Sequence, residues 1–242
     1  MKVVAIIQAR MGSTRLPGKV LMDICGKTML ARGHDRVKRA RMINEVVVAT
    51  TDQKKDDILE NYCIANGWNY FRGSQDDVLD RYYLAAKEHH ADAVVRITSD
   101  CPLIDHNVID RVIECFLLKR DEADYASNLL PLRTYPRGLD TEVMSFEALE
   151  RAWKEDDDPR TREHVTQFIV SNPSKFKLIG VTNPRDFSYM RWTVDVPEDL
   201  ELVRRVYSHF WESDFGWNDV VDLLLARPEL LELNRSVKQK VV

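Results

Sequence analysis

The sequence predicts an α/β fold, with a mostly parallel central sheet covered by helices on both faces. Three observations carry this. Residues 3–8 (VVAIIQ), 45–49 (EVVVA) and 93–98 (AVVRIT) are short, β-branched and apolar almost throughout, as strands buried on both faces are. Helix-length segments separate them, and strand–helix alternation leads to parallel pairing. The chain has 242 residues, 44% of them hydrophobic, enough for one such domain with a sizeable core.

Taken in order, residues 3–8 form the first strand and a loop runs from it to Gly26. Residues 28–41 read as a helix. The second strand, 45–49, ends in Thr50-Thr51-Asp52, which offer caps to a helix near 54–66. A short strand at 69–71 precedes a helix from about 76 to 90. The fourth strand, 93–98, ends at Ser99-Asp100-Cys101-Pro102, and a helix follows at about 107–119. After Ala123 the rhythm changes. Strands at 125–128 and 139–145 flank a Pro/Arg/Gly loop, helices follow near 146–154 and 162–171, and further strands near 176–181 and 190–194. Residues 125–185 therefore read as an insertion or dimerisation arm on a single domain spanning 1–242. The acidic run 155–158 is a solvated turn, and residues 198–233 are mostly helical.

Bulk properties exclude several classes. The net charge is −4, so no global field draws nucleic acid or an anionic membrane. No stretch is apolar and long enough to span a bilayer, and residues 3–7 are too short for a secretory signal. Cys25, Cys63, Cys101 and Cys115 form no C-x-x-C pair and read as free thiols of a reducing compartment. A cytoplasmic protein is expected. No His/Cys spacing suits zinc.

The loop after the first strand, QARMGSTRLPGK, places Arg10, Arg15 and Lys19 beside Gly12 and Gly18 with no acid among them. Open α/β sheets bind ligands at this edge. Glycines let backbone N–H groups approach an anion, and arginine forks suit phosphate. Together they describe a polyphosphate cradle. It is not a Walker A loop: five residues separate the glycines and Val20, not Ser or Thr, follows Lys19. The dinucleotide fingerprint G-x-G-x-x-G is also absent.

Gln8-Ala9-Arg10, Ser13-Thr14-Arg15-Leu16-Pro17-Gly18-Lys19 and Leu21 resemble the signature of the CMP-sugar synthetases, the cytidylyltransferases for 3-deoxy-manno-octulosonate and acylneuraminate. The spore-coat polysaccharide branch (SpsF type) is the nearest in pattern. The resemblance extends through Gly73-Ser74, Asp77-Val78-Leu79, Arg81-Tyr82, residues 98–103, 136–140 and 162–166, and Trp192-Thr193-Val194-Asp195. It implies a Rossmann-like nucleotide-diphospho-sugar transferase (GT-A-like) fold that binds CTP. It also implies transfer of CMP to an acidic sugar with release of pyrophosphate, in a homodimer using Mg²⁺. One departure stands out. The octulosonate enzymes carry a glutamine-glycine pair where this chain has Thr98-Ser99.

Nucleotidyl transfer also needs a metal against the reacting phosphate. Asp100 and Asp195 follow expected strands, can face the loop, and match the family's metal positions. Arg10 and Lys19 are assigned to charge developing at the α-phosphorus and on pyrophosphate. Ala9, Gly12, Ser13, Arg15, Arg81 and Ser99 complete the nucleotide site. On the acceptor side, Arg137 is expected to grip an acid group, and Asp140 and Glu142 to take sugar hydroxyls. His164 reads as structural or dimer-facing. A glycosyltransferase of similar fold is the competing reading, but the one Asp-x-Asp spacing, Asp156 to Asp158, lies in the acidic turn. A non-catalytic nucleotide-binding protein is the other.

Overall fold

The computed structural model describes residues 1–211 and 213–239. In chain order the elements are β1 (Val3–Gln8), a small hairpin of β2 (Asp23–Ile24) and β3 (Lys27–Thr28), α1 (Met29–Lys38), β4 (Glu45–Thr51), α2 (Asp57–Asn66), β5 (Asn69–Gly73), α3 (Val78–Glu88), β6 (Ala93–Thr98) and α4 (His106–Leu118). Then come β7 (Tyr125–Ser127), β8 (Glu142–Ser145), α5 (Phe146–Glu155), α6 (Pro159–Arg162), α7 (Gln167–Ser171), β9 (Leu178–Gly180), α8 (Pro197–Phe210), α9 (Trp217–Ala226) and α10 (Glu229–Glu232).

One seven-stranded sheet runs β5-β4-β1-β6-β8-β7-β9. β5, β4, β1 and β6 are parallel, β8 is antiparallel to both β6 and β7, and β9 runs parallel to β7. The expected mostly parallel sheet is present. Successive strand residues point to opposite faces, and the core divides accordingly. Val3, Ala5 and Ile7 pack with α1, α2 and α4, whereas Val4 and Ile6 pack with α3 and α5. A third cluster joins α8 and α9 to Met190, Trp192 and Val194. Residues 125–185 supply β7, β8 and β9 to the main sheet. Among the described residues no helix is long and apolar enough to cross a membrane, and all four cysteines are free thiols.

Three expected elements differ. The helix at 162–171 is broken. Asp158 caps α6 with Pro159 in its first turn, and Val165 turns to φ +60° before α7. Tertiary contacts override the local helical preference. Arg162 is held by Asp77 and by the carbonyls of Trp153 and Asp156, and Val165 is fully buried. Residues 190–194 form no strand. A single bridge pairs Arg191 with Arg137, and Val194 N–H goes to the Asp100 carbonyl at 2.8 Å. The apolar alternation there serves packing against α8 rather than a ladder. The strand expected from 139 begins only at Glu142.

His34 on α1 stacks on Trp68 at 3.8 Å and is 3% exposed. Burial pushes its imidazole down from 6.5 to about 4. The unfolded chain therefore takes up a proton between those values that the folded chain refuses. Stability falls as pH drops from 6.5 towards about 4, by up to about 1.4 kcal/mol per pH unit. Urea unfolding across that range should show a shallower slope for His34→Phe.

Candidate active site

β1 and β6 lie side by side and end together, Gln8 opposite Thr98. Beyond their C-terminal ends the loop of residues 9–18 and the 99–101 turn border a cavity of about 310 Å³. Gly18 adopts φ +70°, which turns the chain so that Lys19 begins a short 3₁₀ turn. The Lys19 side chain is directed into the site and is 8% exposed.

Lys19 is the centre of the constellation. Its Nζ donates to Asp100 Oδ2 at 2.9 Å, Asp195 Oδ1 at 3.0 Å and the Val194 carbonyl at 2.7 Å. Arg15 meets the same Asp195 oxygen at 2.9 Å. Burial alone would push the ammonium down, but the Asp100 and Asp195 carboxylates outweigh it and hold Lys19 above its ordinary value. Burial would likewise raise Asp195, and Lys19, Arg191 and Arg15 reverse that, keeping it ionised.

The two carboxylates fit a divalent cation. They already share one compact positive charge, the Lys19 ammonium, at bonding distance. They are hard oxygen donors, the kind Mg²⁺ takes together with phosphate oxygens. Among the described residues no three His, Cys, Asp or Glu side chains converge on a metal position. Two carboxylates with a nucleotide supplying the rest is the arrangement such a site allows.

The remaining expected nucleotide residues gather here too. Ala9, Arg10, Gly12, Ser13, Arg81 and Ser99 border the same cavity. Arg10 is partly exposed and 3.9 Å from Glu163. A side chain at Gly12 would meet the Lys55 ammonium at 3.1 Å. Arg81 on α3 is 2% exposed and donates to the Ser74 carbonyl, with its Nε left without a partner. Burial disfavours its charge, moving it below the usual arginine value.

The acceptor residues fall elsewhere. Arg137 borders a separate cavity of about 430 Å³, together with Tyr189, Arg191, Asn234 and Gln239. Asp140 is forked by Arg133 and borders neither cavity. Glu142, expected to meet sugar hydroxyls, is instead committed to Arg96 at 3.2 Å and Thr166 at 2.8 Å. His164, on the 163–166 break, borders the cavity beside Glu163.

Gln8, Arg96 and Thr98 also form its wall, and the sequence reading missed the first two. A charge inside AVVRIT was the available signal, because a buried arginine must find a carboxylate. Glu142→Gln removes that partner and should cost about 3–5 kcal/mol of stability, read by urea unfolding.

A basic, glycine-bearing loop facing two carboxylates at the C-terminal edge of a parallel sheet suits a nucleotidyltransferase. Residues 4–223 match the family described as Cytidylyltransferase, and the chain belongs to it. The spore coat polysaccharide biosynthesis protein SpsF of Bacillus subtilis is 32% identical, over 94% of this chain and 95% of that one. A cytidylyltransferase structure from Leptospira borgpetersenii superposes with a TM-score of 0.92 at 36% identity, covering 100% and 99% of the two chains. The CMP:2-keto-3-deoxy-manno-octonic acid synthetase complexed with CTP shares the fold at 21% identity, with a TM-score of 0.67 over 86% of this chain and 99% of that one. The resemblance to CMP-sugar synthetases is borne out.

Proposed function

We propose that this enzyme transfers CMP from CTP to an acidic sugar or similar acceptor, with Mg²⁺, releasing pyrophosphate for surface polysaccharide or glycan synthesis. The observation that carries this is the Lys19 bridge between Asp100 and Asp195, set against the basic loop. The triphosphate lies along residues 9–19, where Arg10, Arg15 and Lys19 supply charge and Gly12 allows close approach. Arg81 and Ser99 hold the nucleoside end. Asp100 and Asp195 would hold Mg²⁺, which when bound neutralises charge on the reacting phosphate. Lys19 then exchanges carboxylate contacts for phosphate oxygens and stabilises the leaving pyrophosphate. The acceptor oxygen attacks in line.

For the acceptor, Arg137 is the cation we assign to an acid group. It has no ion-pair partner among the described residues, and Arg191, which borders the same cavity, contacts Asp195 at 2.7 Å. A homodimer, with residues 125–185 taking part, and a cytoplasmic location complete the reading.

The test is pyrophosphate release with each of the four nucleoside triphosphates, Mg²⁺ and a panel of acidic sugars. Release with CTP alone supports the reading. Release with another nucleotide overturns the base assignment. Nucleoside diphosphate freed from a nucleotide sugar points to glycosyl transfer instead.

A further inference from the structure

Asp195 presents its two oxygens in opposite directions. Oδ1 faces Lys19 and Arg15 on the cavity side. Oδ2 accepts from Arg191 NH2 at 2.7 Å. Arg191 is 8% exposed, and a second carboxylate holds it: Asp199 takes Nε at 2.8 Å and NH2 at 3.0 Å. Asp199 is fully buried and also accepts the backbone N–H of Asp195 at 2.9 Å and of Val196 at 3.2 Å.

The bond from the N-cap Val196 N–H is the capping box of α8 and needs nothing further. Yet the end of the chain contributes two more partners. Asn234, 4% exposed, donates both amide hydrogens, to Asp199 Oδ1 at 2.8 Å and to the Arg191 carbonyl at 2.9 Å. Gln239 Oε1 accepts from Arg191 NH1. Nε, NH1 and NH2 of Arg191 are thereby all engaged, and the Asp195 carboxylate has its rear oxygen pinned. A buried ion network is weak evidence of stabilisation, since well-packed apolar residues often do as well. Fixing an orientation is what such a network does better, and partners one step behind a metal-binding carboxylate set its geometry.

We propose that Asp199, Arg191 and the C-terminal residues Asn234 and Gln239 are positioning residues that aim Asp195 at the metal. This rests on the reading of Asp100 and Asp195 as the metal site. The end of the chain, far in sequence from the nucleotide loop, thereby becomes part of the active centre.

Mn²⁺ binding to the CTP complex, followed by electron paramagnetic resonance, tests this without any acceptor. Asn234→Ala should weaken Mn²⁺ binding by about tenfold, with CTP affinity in the absence of metal unchanged. Gln239→Ala, which leaves the α8 cap intact, should shift it in the same direction by less, and it decides the matter alone if Asn234→Ala does not fold. A purely structural role would lower the melting temperature and leave Mn²⁺ affinity at the wild-type value in both variants, and that result overturns the proposal. If Asp195→Asn itself leaves Mn²⁺ uptake unchanged, the metal reading has failed and the inference falls with it.

Discussion

Asp195→Asn should reduce CTP turnover by about 10²–10³-fold or more, the range for removing one group that stabilises transition-state charge. The substitution keeps the side chain's shape but only one acceptor oxygen, so an amide NH2 must face either Lys19 and Arg15 or Arg191. It removes the negative charge that three cations share: Lys19 at 3.0 Å, Arg15 at 2.9 Å and Arg191 at 2.7 Å. Stability should therefore fall as well, by about 3–5 kcal/mol where a buried pair loses a partner. Turnover is to be measured on protein shown by its melting curve to be folded. Near-normal turnover would remove Asp195 from the chemistry. The pH dependence has a matching sign. Asp195 is held below its ordinary value of 3.8, so its contribution is complete above that value and is lost as pH falls through its folded value. Lys19 is held above 10.5, so its contribution is complete below that value and is lost as pH rises through its folded value.

Lys19→Met should have the second-largest effect, with opposite signs in two assays. CTP affinity should drop roughly 10- to 100-fold, the loss expected for one charged hydrogen-bonding partner. Divalent cation binding without nucleotide should rise, because Asp100 and Asp195 lose the ammonium that neutralises them. Calorimetric titrations with CTP, and separately with Mn²⁺, read both. A simple structural lysine would leave CTP affinity unchanged and overturn the phosphate assignment. The tension is physical. One cation serves the carboxylates in the free protein and is needed by the phosphates in the complex.

Most of the residues that gather at the first cavity were legible in the sequence. Continuous β-branched runs identified β1, β4 and β6, and strand ends located Asp100 and the basic loop. Spacing alone excluded a Walker A loop. What remained hidden was whatever depends on long-range pairing. MRWTV alternates like a strand, and nothing local marks Arg191 as the link between Asp195 and Asp199. The 162–171 helix is broken by contacts to Asp77, Glu142 and the α5 end, and nothing local signals them. Glu142 looked available because its partner, Arg96, lies on a strand 46 residues earlier. Arg137 stands in an arginine-rich turn, and only the fold reveals that it borders a second cavity.

A crystal structure with CTP and Mg²⁺ tests the central claim most directly. The triphosphate is expected across residues 9–19, with Lys19 turned from the carboxylates to phosphate and the metal between Asp100, Asp195 and the α-phosphate. A nucleotide seated in the Arg137 cavity, or one bound with Lys19 still bridging both aspartates and no metal beside them, would contradict it.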